Sequence, residues 1–108
     1  MDLFGDTLRG HTDAIILSIL EDGDSYGYHI NQTISKRTQE RFVLTEATLY
    51  TAFKRLEQAS YIVSYWVDTS GPVKRKYYAI TDLGKAHLNE KKAQFKETTQ
   101  ILETFLKK

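Results

Sequence analysis

The sequence contains no cysteine and a single proline among its 108 residues. Without cysteine there is no disulfide, no thiolate nucleophile and no cysteine-ligated metal, so the composition does not indicate a redox compartment. The first nine residues include acids and no long apolar run, which predicts neither a secretory signal nor a membrane span. We therefore expect a cytoplasmic protein that needs no cofactor and contacts no membrane.

The sequence also lacks an excess of charge of either sign. Fifteen basic and fourteen acidic residues give a formal net charge of +1. This balance gives no indication of a nucleic-acid or membrane partner. Any DNA-binding surface must therefore be a local cluster of basic residues. A hydrophobic content of 41% in a chain of this length is typical of one soluble globular domain with a modest core.

Catalytic patterns are missing as well. His11, His29 and His87 are far apart, and no two have the spacing of metal ligands. The sequence has no phosphate-binding glycine loop, and its acids lie in contexts typical of caps, turns and solvated faces. The sequence therefore predicts a protein that is not an enzyme.

Two helices are predicted in the first third of the chain. Residues 12–20 are strongly apolar, and Gly23 follows as a helix stop signal. Ser25 is a candidate cap for a second, amphipathic helix that the polar stretch 36–41 ends. Its apolar positions recur every four residues, at Tyr26, Ile30 and Ile34.

A third helix is predicted from Thr45, a suitable N-cap, to the neighbourhood of Ser60. Leu44 and Leu49 flank its first turn as a hydrophobic staple. One side of this helix is apolar, with Leu49, Phe53 and Leu56. The remaining faces carry hydroxyls, an amide and cations, which are groups that bind base edges and phosphates: Thr48, Thr51, Lys54, Arg55 and Gln58.

A β-hairpin is predicted next. Residues 61–67 are rich in β-branched and aromatic side chains, residues 69–72 suit a turn, and residues 73–80 form the returning strand. Alternation along the strand places Lys74 and Lys76 on one side and Arg75 on the other. Trp66, which shares a side with Ile62, is expected to lie in the core on the inner face of the hairpin.

The last predicted helix is capped by Thr81 and runs to the end of the chain. It carries an apolar stripe that suits dimerisation together with the first helix, because a monomer would expose a large apolar patch. Packing of the stripe on its own domain is the alternative. The predicted dimerisation residues are Leu88, Phe95, Ile101, Leu102 and Phe105.

The order helix, helix, helix, hairpin, helix predicts a winged helix-turn-helix. The expected fold class is mainly α with a small β-hairpin and a long C-terminal dimerisation helix. Residues 1–81 would form the DNA-binding part and residues 82–108 the dimerisation helix of one compact domain.

Four ordered motifs resemble the PadR family of transcriptional regulators. They are residues 26–30 (YGYHI), residues 48–57 (TLYTAFKRLE), residues 64–66 (SYW) and residues 75–81 (RKYYAIT). The single C-terminal helix resembles the short, multidrug-responsive branch of the family. Many relatives have proline where Thr51 stands, although the short branch is similar to this sequence there.

The resemblance implies a homodimeric repressor that binds a palindromic operator of double-stranded DNA. Because the two recognition helices of a dimer enter successive major grooves, we expect the half-sites of the operator to lie about 10 base pairs apart. Partial burial in the core is an equal alternative for Tyr50, and core packing is favoured for Tyr28. Arg55 could instead pair near Glu57 or face solvent. The residues assigned to DNA are Tyr26, Thr48, Tyr50, Thr51, Lys54, Arg55, Lys74, Arg75 and Lys76.

The short branch also implies a pocket at the dimer centre, where flat aromatic or cationic small molecules stack on an aromatic residue. Phe95 holds the matching position, and a role only in the dimer core is an equal alternative for it. A further alternative for the whole protein is a winged-helix module that binds another protein without DNA recognition. The near-zero net charge favours that alternative, whereas the cations of the third helix and the hairpin oppose it.

Overall fold

The structure, a computed structural model, describes residues 8–107 and has the predicted order of elements. A 3₁₀ turn at Arg9–His11 leads into the helices and strands. These are α1 (Thr12–Asp22), α2 (Gly27–Arg37), α3 (Glu46–Gln58), β1 (Ile62–Asp68), β2 (Lys74–Ile80) and α4 (Asp82–Leu106). The predicted fold, mainly α with a small β-hairpin and a long C-terminal helix, is confirmed. Most of the N-terminal segment in which no signal or span was predicted lies outside the described residues.

The core forms around α1, whose apolar residues are not confined to one narrow stripe. Ile16 and Leu17 are fully buried, and the apolar sides of α2 and α3 pack around them. Burial of side chains of this size stabilises the fold by about 1.5–3 kcal/mol each before the entropy cost of ordering them. The largest fully buried side chains include Phe53, Leu20, Ile30, Leu56, Ile62 and Leu88.

Three predicted helix boundaries are confirmed. Gly23 follows the last residue of α1 and adopts φ 157° and ψ 154°, a conformation open essentially to glycine. Thr45 Oγ1 accepts a hydrogen bond from the Thr48 amide at 3.1 Å, and Thr81 Oγ1 accepts one from the Gly84 amide at 3.0 Å. The first turns of α3 and α4 are therefore satisfied by side chains.

The prediction that Ser25 caps α2 is wrong. Tyr26 occupies the N-cap position, and the Ser25 hydroxyl pairs with His29 Nδ1 at 2.7 Å. The Ser25 backbone exchanges two hydrogen bonds with Tyr78 of β2, at 3.1 and 2.7 Å. This isolated bridge joins the start of α2 to the hairpin, a long-range contact that local sequence does not reveal.

The hairpin is antiparallel, with Ile62 opposite Ile80 at its base and Asp68 opposite Lys74 at its tip. Its base belongs to the core, where the Tyr78 ring stacks on Phe53 with centroids 4.0 Å apart. Toward the tip the side chains become exposed, so this half of the hairpin projects from the domain as a wing.

Helix α4 begins in the core and then leaves it. A methyl group on Gly84 would overlap the carbonyl oxygen of Tyr61, so glycine permits the helix to lie against the backbone that connects α3 to β1. Leu88 is 2% exposed, whereas the large apolar residues beyond it are mostly exposed. The radius of gyration of 15.5 Å exceeds the roughly 13 Å of a compact domain of this length, because α4 protrudes.

Candidate nucleic-acid interface

The start of α3 presents a polar surface to solvent. Leu49 and Phe53 face the core, while Thr48, Thr51 and Lys54 are exposed on the other sides of the helix. Tyr50 is 56% exposed and rests edge-on against Phe53, with ring centroids 5.9 Å apart. Its hydroxyl end is therefore available while its ring is held in place.

Arg55, one turn further along, is engaged within the chain. Its guanidinium forms a bidentate ion pair with the Asp13 carboxylate of α1, in which Nε lies 3.1 Å from Oδ2 and Nη2 contacts Oδ1. The hydrogen bond to Asp13 raises the pKa of Arg55, so the guanidinium stays charged at any ordinary pH. A DNA phosphate would therefore have to compete with the Asp13 carboxylate for Arg55.

The three cations of the wing have different surroundings. Lys74 lies 3.9 Å from the Asp68 carboxylate across the hairpin tip, and Lys76 lies 3.9 Å from Glu57 of α3. Arg75 stacks over the Tyr26 ring, with its guanidinium carbon 4.1 Å from the centroid. Lys74 and Arg75 are exposed at the tip, and Lys76 is partly covered.

Of the two tyrosines at the start of α2, Tyr28 departs from its predicted position. Tyr28, predicted to pack in the core, is 69% exposed. Tyr26 is half-buried, and its ring packs 5.2 Å from Tyr77 of β2 beneath Arg75. The structure thus uses Tyr26 to hold the wing against α2 and leaves Tyr28 at the surface.

The prediction that Trp66 lies in the core is also wrong, because its side chain is 64% exposed. It shares a side of β1 with the buried Ile62, as predicted, but it is four residues nearer the wing tip. The strand has left the core by that point. The alternation of side chains along a strand predicts the side on which Trp66 lies, but it does not predict whether that side is still covered by the core at this position.

These elements enclose a groove of about 460 Å³ between the start of α2, the start of α3 and the wing, which we call the wing groove. Gly27 lies in its floor, where an added methyl group would make only ordinary contacts of 3.5–3.6 Å. Cations and aromatic rings line the groove, and within residues 8–107 no carboxylate does: its lining is Tyr26, Gly27, Tyr28, Tyr50, Trp66, Lys74, Arg75, Lys76 and Tyr78.

A second surface lies between α1 and α4. Phe95 is 64% exposed there, beside a groove of about 460 Å³ that also contacts Ile15 and Leu102. Ile101, Leu102 and Phe105 continue the exposed apolar stripe. Leu88, predicted to take part in dimerisation, is instead buried in the core of its own chain, because α4 is still packed on α1 there.

In the part of the chain that the structure describes, no cluster of histidine and acidic residues has the arrangement of a metal site. None of the described helices is long and apolar enough to cross a membrane.

The profile of the transcriptional regulator PadR-like family matches residues 16–90, which include all of the wing groove. The chain belongs to this family. A transcriptional regulator from Clostridium thermocellum has a similar structure, with a TM-score of 0.87 and 42% identity, over 94% of this chain and 98% of that one. A PadR family transcription regulator from Clostridium difficile R20291 is 37% identical over 89% of this chain and 98% of that one, with a TM-score of 0.76.

An uncharacterized protein of Lysinibacillus sphaericus is also 48% identical to this PadR-like protein over 101 residues, which are 94% of this chain and 93% of the relative. The family consists of transcriptional regulators. The PadR-like protein is therefore a DNA-binding regulator and not an enzyme, as the sequence predicted.

Proposed function

We propose that this PadR-like protein is a homodimeric repressor that binds a palindromic operator and is released by a planar aromatic small molecule. In this proposal residues 1–81 bind DNA and residues 82–108 form the dimerisation helix. The observation that carries the proposal is the pairing of an exposed polar α3 start with a cation-lined groove that has no carboxylate in its described lining.

The start of α3 has the groups and the exposure needed to bind base edges. Thr48, Thr51 and Tyr50 supply hydroxyls that donate or accept hydrogen bonds, and Lys54 supplies a cation one turn later. A helix of 13 residues fits the major groove of B-form DNA, and its first turns reach deepest there. These four residues would therefore provide specificity.

The wing would contribute affinity that does not depend on sequence. Lys74 and Arg75 are exposed near its tip and Lys76 lies deeper in the wing groove, so phosphates are their expected partners. Tyr26 supports Arg75 from below, so its own contribution to DNA binding would come mainly from positioning that cation.

Dimerisation would cover the apolar stripe of α4. Four of its side chains are between 49% and 66% exposed, an area that a monomer rarely leaves in water. They are Phe95, Ile101, Leu102 and Phe105. A two-fold dimer through this stripe would present two α3 helices to successive major grooves, about 10 base pairs apart.

A flat aromatic effector would bind beside Phe95 in the groove between α1 and α4. The exposed ring provides a stacking face. Because the same residues would meet the second subunit, such a ligand would change the angle between subunits and thereby the spacing of the two α3 helices.

DNA binding is tested by fluorescence anisotropy with a labelled duplex from upstream of the protein's own gene and a scrambled duplex, at two salt concentrations. We expect the native duplex to bind at least roughly a thousandfold more tightly. Thr51→Ala should reduce this ratio, whereas Thr104→Ala, a control on exposed α4, should not. Equal and weak binding of both duplexes with a shallow salt slope would favour the protein-binding alternative.

The dimer is tested by sedimentation equilibrium at micromolar concentration. Leu102→Glu should give the monomer mass, whereas Gln100→Glu, which adds the same charge on α4, should leave a dimer. A monomeric wild-type protein would contradict the dimer.

The effector is tested by titrating planar cationic dyes. Phe95→Ala should weaken binding, whereas Tyr28→Ala, which removes an exposed ring outside the lining of this groove and outside the α4 stripe, should not. Equal affinity in wild type and Phe95→Ala would contradict the pocket.

A further inference from the structure

Trp66 is an unusual residue to leave in solvent. It is the only tryptophan of the chain and is 64% exposed on the wing. The indole combines a large apolar surface with one N–H donor, and such side chains are enriched where a protein meets a partner.

The exposed indole is directed toward α3. Two residues earlier on the same side of β1, the Ser64 hydroxyl donates to the Glu57 carboxylate of α3 at 3.1 Å. Trp66 lies opposite Lys76 in the hairpin, and the Lys76 ammonium is 5.9 Å from the centre of the indole. Trp66 therefore forms part of the wall of the wing groove that faces the start of α3.

The charges of the wing groove identify its occupant. Three cations line it and, within the described residues, no carboxylate does, although the whole chain carries a net charge of only +1. This local excess of positive charge fits a phosphate chain, and the exposed rings fit its apolar deoxyribose. Asp68 and Glu57, which do not line the groove, lie 3.9 Å from Lys74 and Lys76, whereas Arg75 forms no ion pair with the described residues. A neutral or basic peptide would leave Arg75 without a counter-charge.

From this arrangement we infer that Trp66 contacts DNA: its indole packs against the sugar–phosphate backbone of the strand that lies between the wing and α3. The inference rests on the proposed DNA-binding function and adds to it a residue outside the charged tip. The contact does not distinguish bases, because every nucleotide offers the same sugar and phosphate.

The single tryptophan makes the inference directly measurable in the wild-type protein. We expect acrylamide quenching of its fluorescence to fall by at least about half when the labelled duplex is saturated at low salt. Unchanged quenching at saturation would overturn the Trp66 contact and leave the proposed function intact. If neither duplex binds even at low salt, both the contact and the proposed function fail.

Variants separate a direct contact from an effect on the wing. Trp66→Ala should weaken binding of native and scrambled duplexes alike, by about tenfold, without changing the salt slope, because an uncharged side chain releases no counterion. Val63→Ala provides the matched control, since Val63 is 53% exposed but lies on the other side of β1. A lower salt slope in Trp66→Ala would mean that the wing cations have moved, and an equal loss in Val63→Ala would mean a general loss of the hairpin; either result overturns the inference.

Protection by a second copy of the protein is tested in the same experiment. If Trp66 is already shielded from acrylamide in the DNA-free dimer and becomes accessible in the monomeric Leu102→Glu variant, the partner subunit covers it. That outcome would also overturn the inference.

Discussion

Neighbouring cations on α3 should respond oppositely to substitution. Arg55 is held by Asp13 of α1, whereas Lys54 is exposed and forms no ion pair with the described residues. We predict that Arg55→Ala lowers stability and leaves the salt dependence of DNA binding unchanged. Lys54→Ala should leave stability almost unchanged and lower the salt dependence of DNA binding.

The magnitudes follow from the exposure of the pair. The Arg55 side chain is 53% exposed and the Asp13 side chain 25% exposed, so solvent screens much of the attraction. Bidentate geometry raises the contribution above that of an ordinary surface pair, and we expect a coupling of about 1 kcal/mol. Lys54→Ala should change stability by less than about 0.5 kcal/mol, because alanine is a good helix former.

A double-mutant cycle measures the coupling. Urea unfolding of wild type, Arg55→Ala, Asp13→Asn and the double variant gives the interaction energy between the two side chains. Anisotropy at several salt concentrations gives the slopes, which should fall by about one for Lys54→Ala only. A coupling near zero, or a slope lowered by about one in Arg55→Ala, would refute the assignment of Arg55 to the ion pair.

Three further predictions concern close packing, the wing and pH. Gly84→Ala should destabilise the protein by about 2 kcal/mol in urea unfolding, because overlap of the methyl group with the Tyr61 backbone outweighs the gain in helix propensity. Gly27→Ala, where the methyl group fits, should be neutral or slightly stabilising. Equal effects of the two substitutions would contradict the packing of α4. Glu57→Gln should tighten binding of any duplex roughly two- to fivefold in anisotropy titrations, because it releases Lys76 from a competing carboxylate, and unchanged or weaker binding would contradict this. Burial raises the pKa of Tyr78 to about 12 from an ordinary value of 10.0, so its contribution is complete below pH 10 and is lost as pH rises toward 12. Between pH 9 and pH 11 the wild type should lose roughly 1.3 kcal/mol more stability than Tyr78→Phe, and parallel curves would contradict the shift.

Local sequence determined the elements of this protein and most of their ends. The spacing of apolar residues along α1 to α3, the caps Thr45 and Thr81, and the stop at Gly23 depend on interactions within a few residues, so they are visible in the sequence. The same holds for the exposed hydroxyls at the start of α3, since a buried seam on one side of a helix fixes which side is exposed.

Tertiary structure decided which candidate side chains are available. Arg55 meets Asp13 across 42 positions of sequence, and the Ser25 backbone meets Tyr78 across the domain. No local pattern encodes either pairing, because each depends on how whole elements pack.

The extent to which a residue is buried was the other property that only the tertiary structure decided. Leu88 and Phe95 occupy equivalent heptad positions of α4, yet Leu88 is 2% exposed and Phe95 is 64% exposed, since the helix leaves the core between them. Ile62 and Trp66 likewise share a side of β1 and differ in exposure, because the strand extends beyond the core. Periodicity specifies the side on which a residue lies, but the size of the core determines how far along an element that side remains buried.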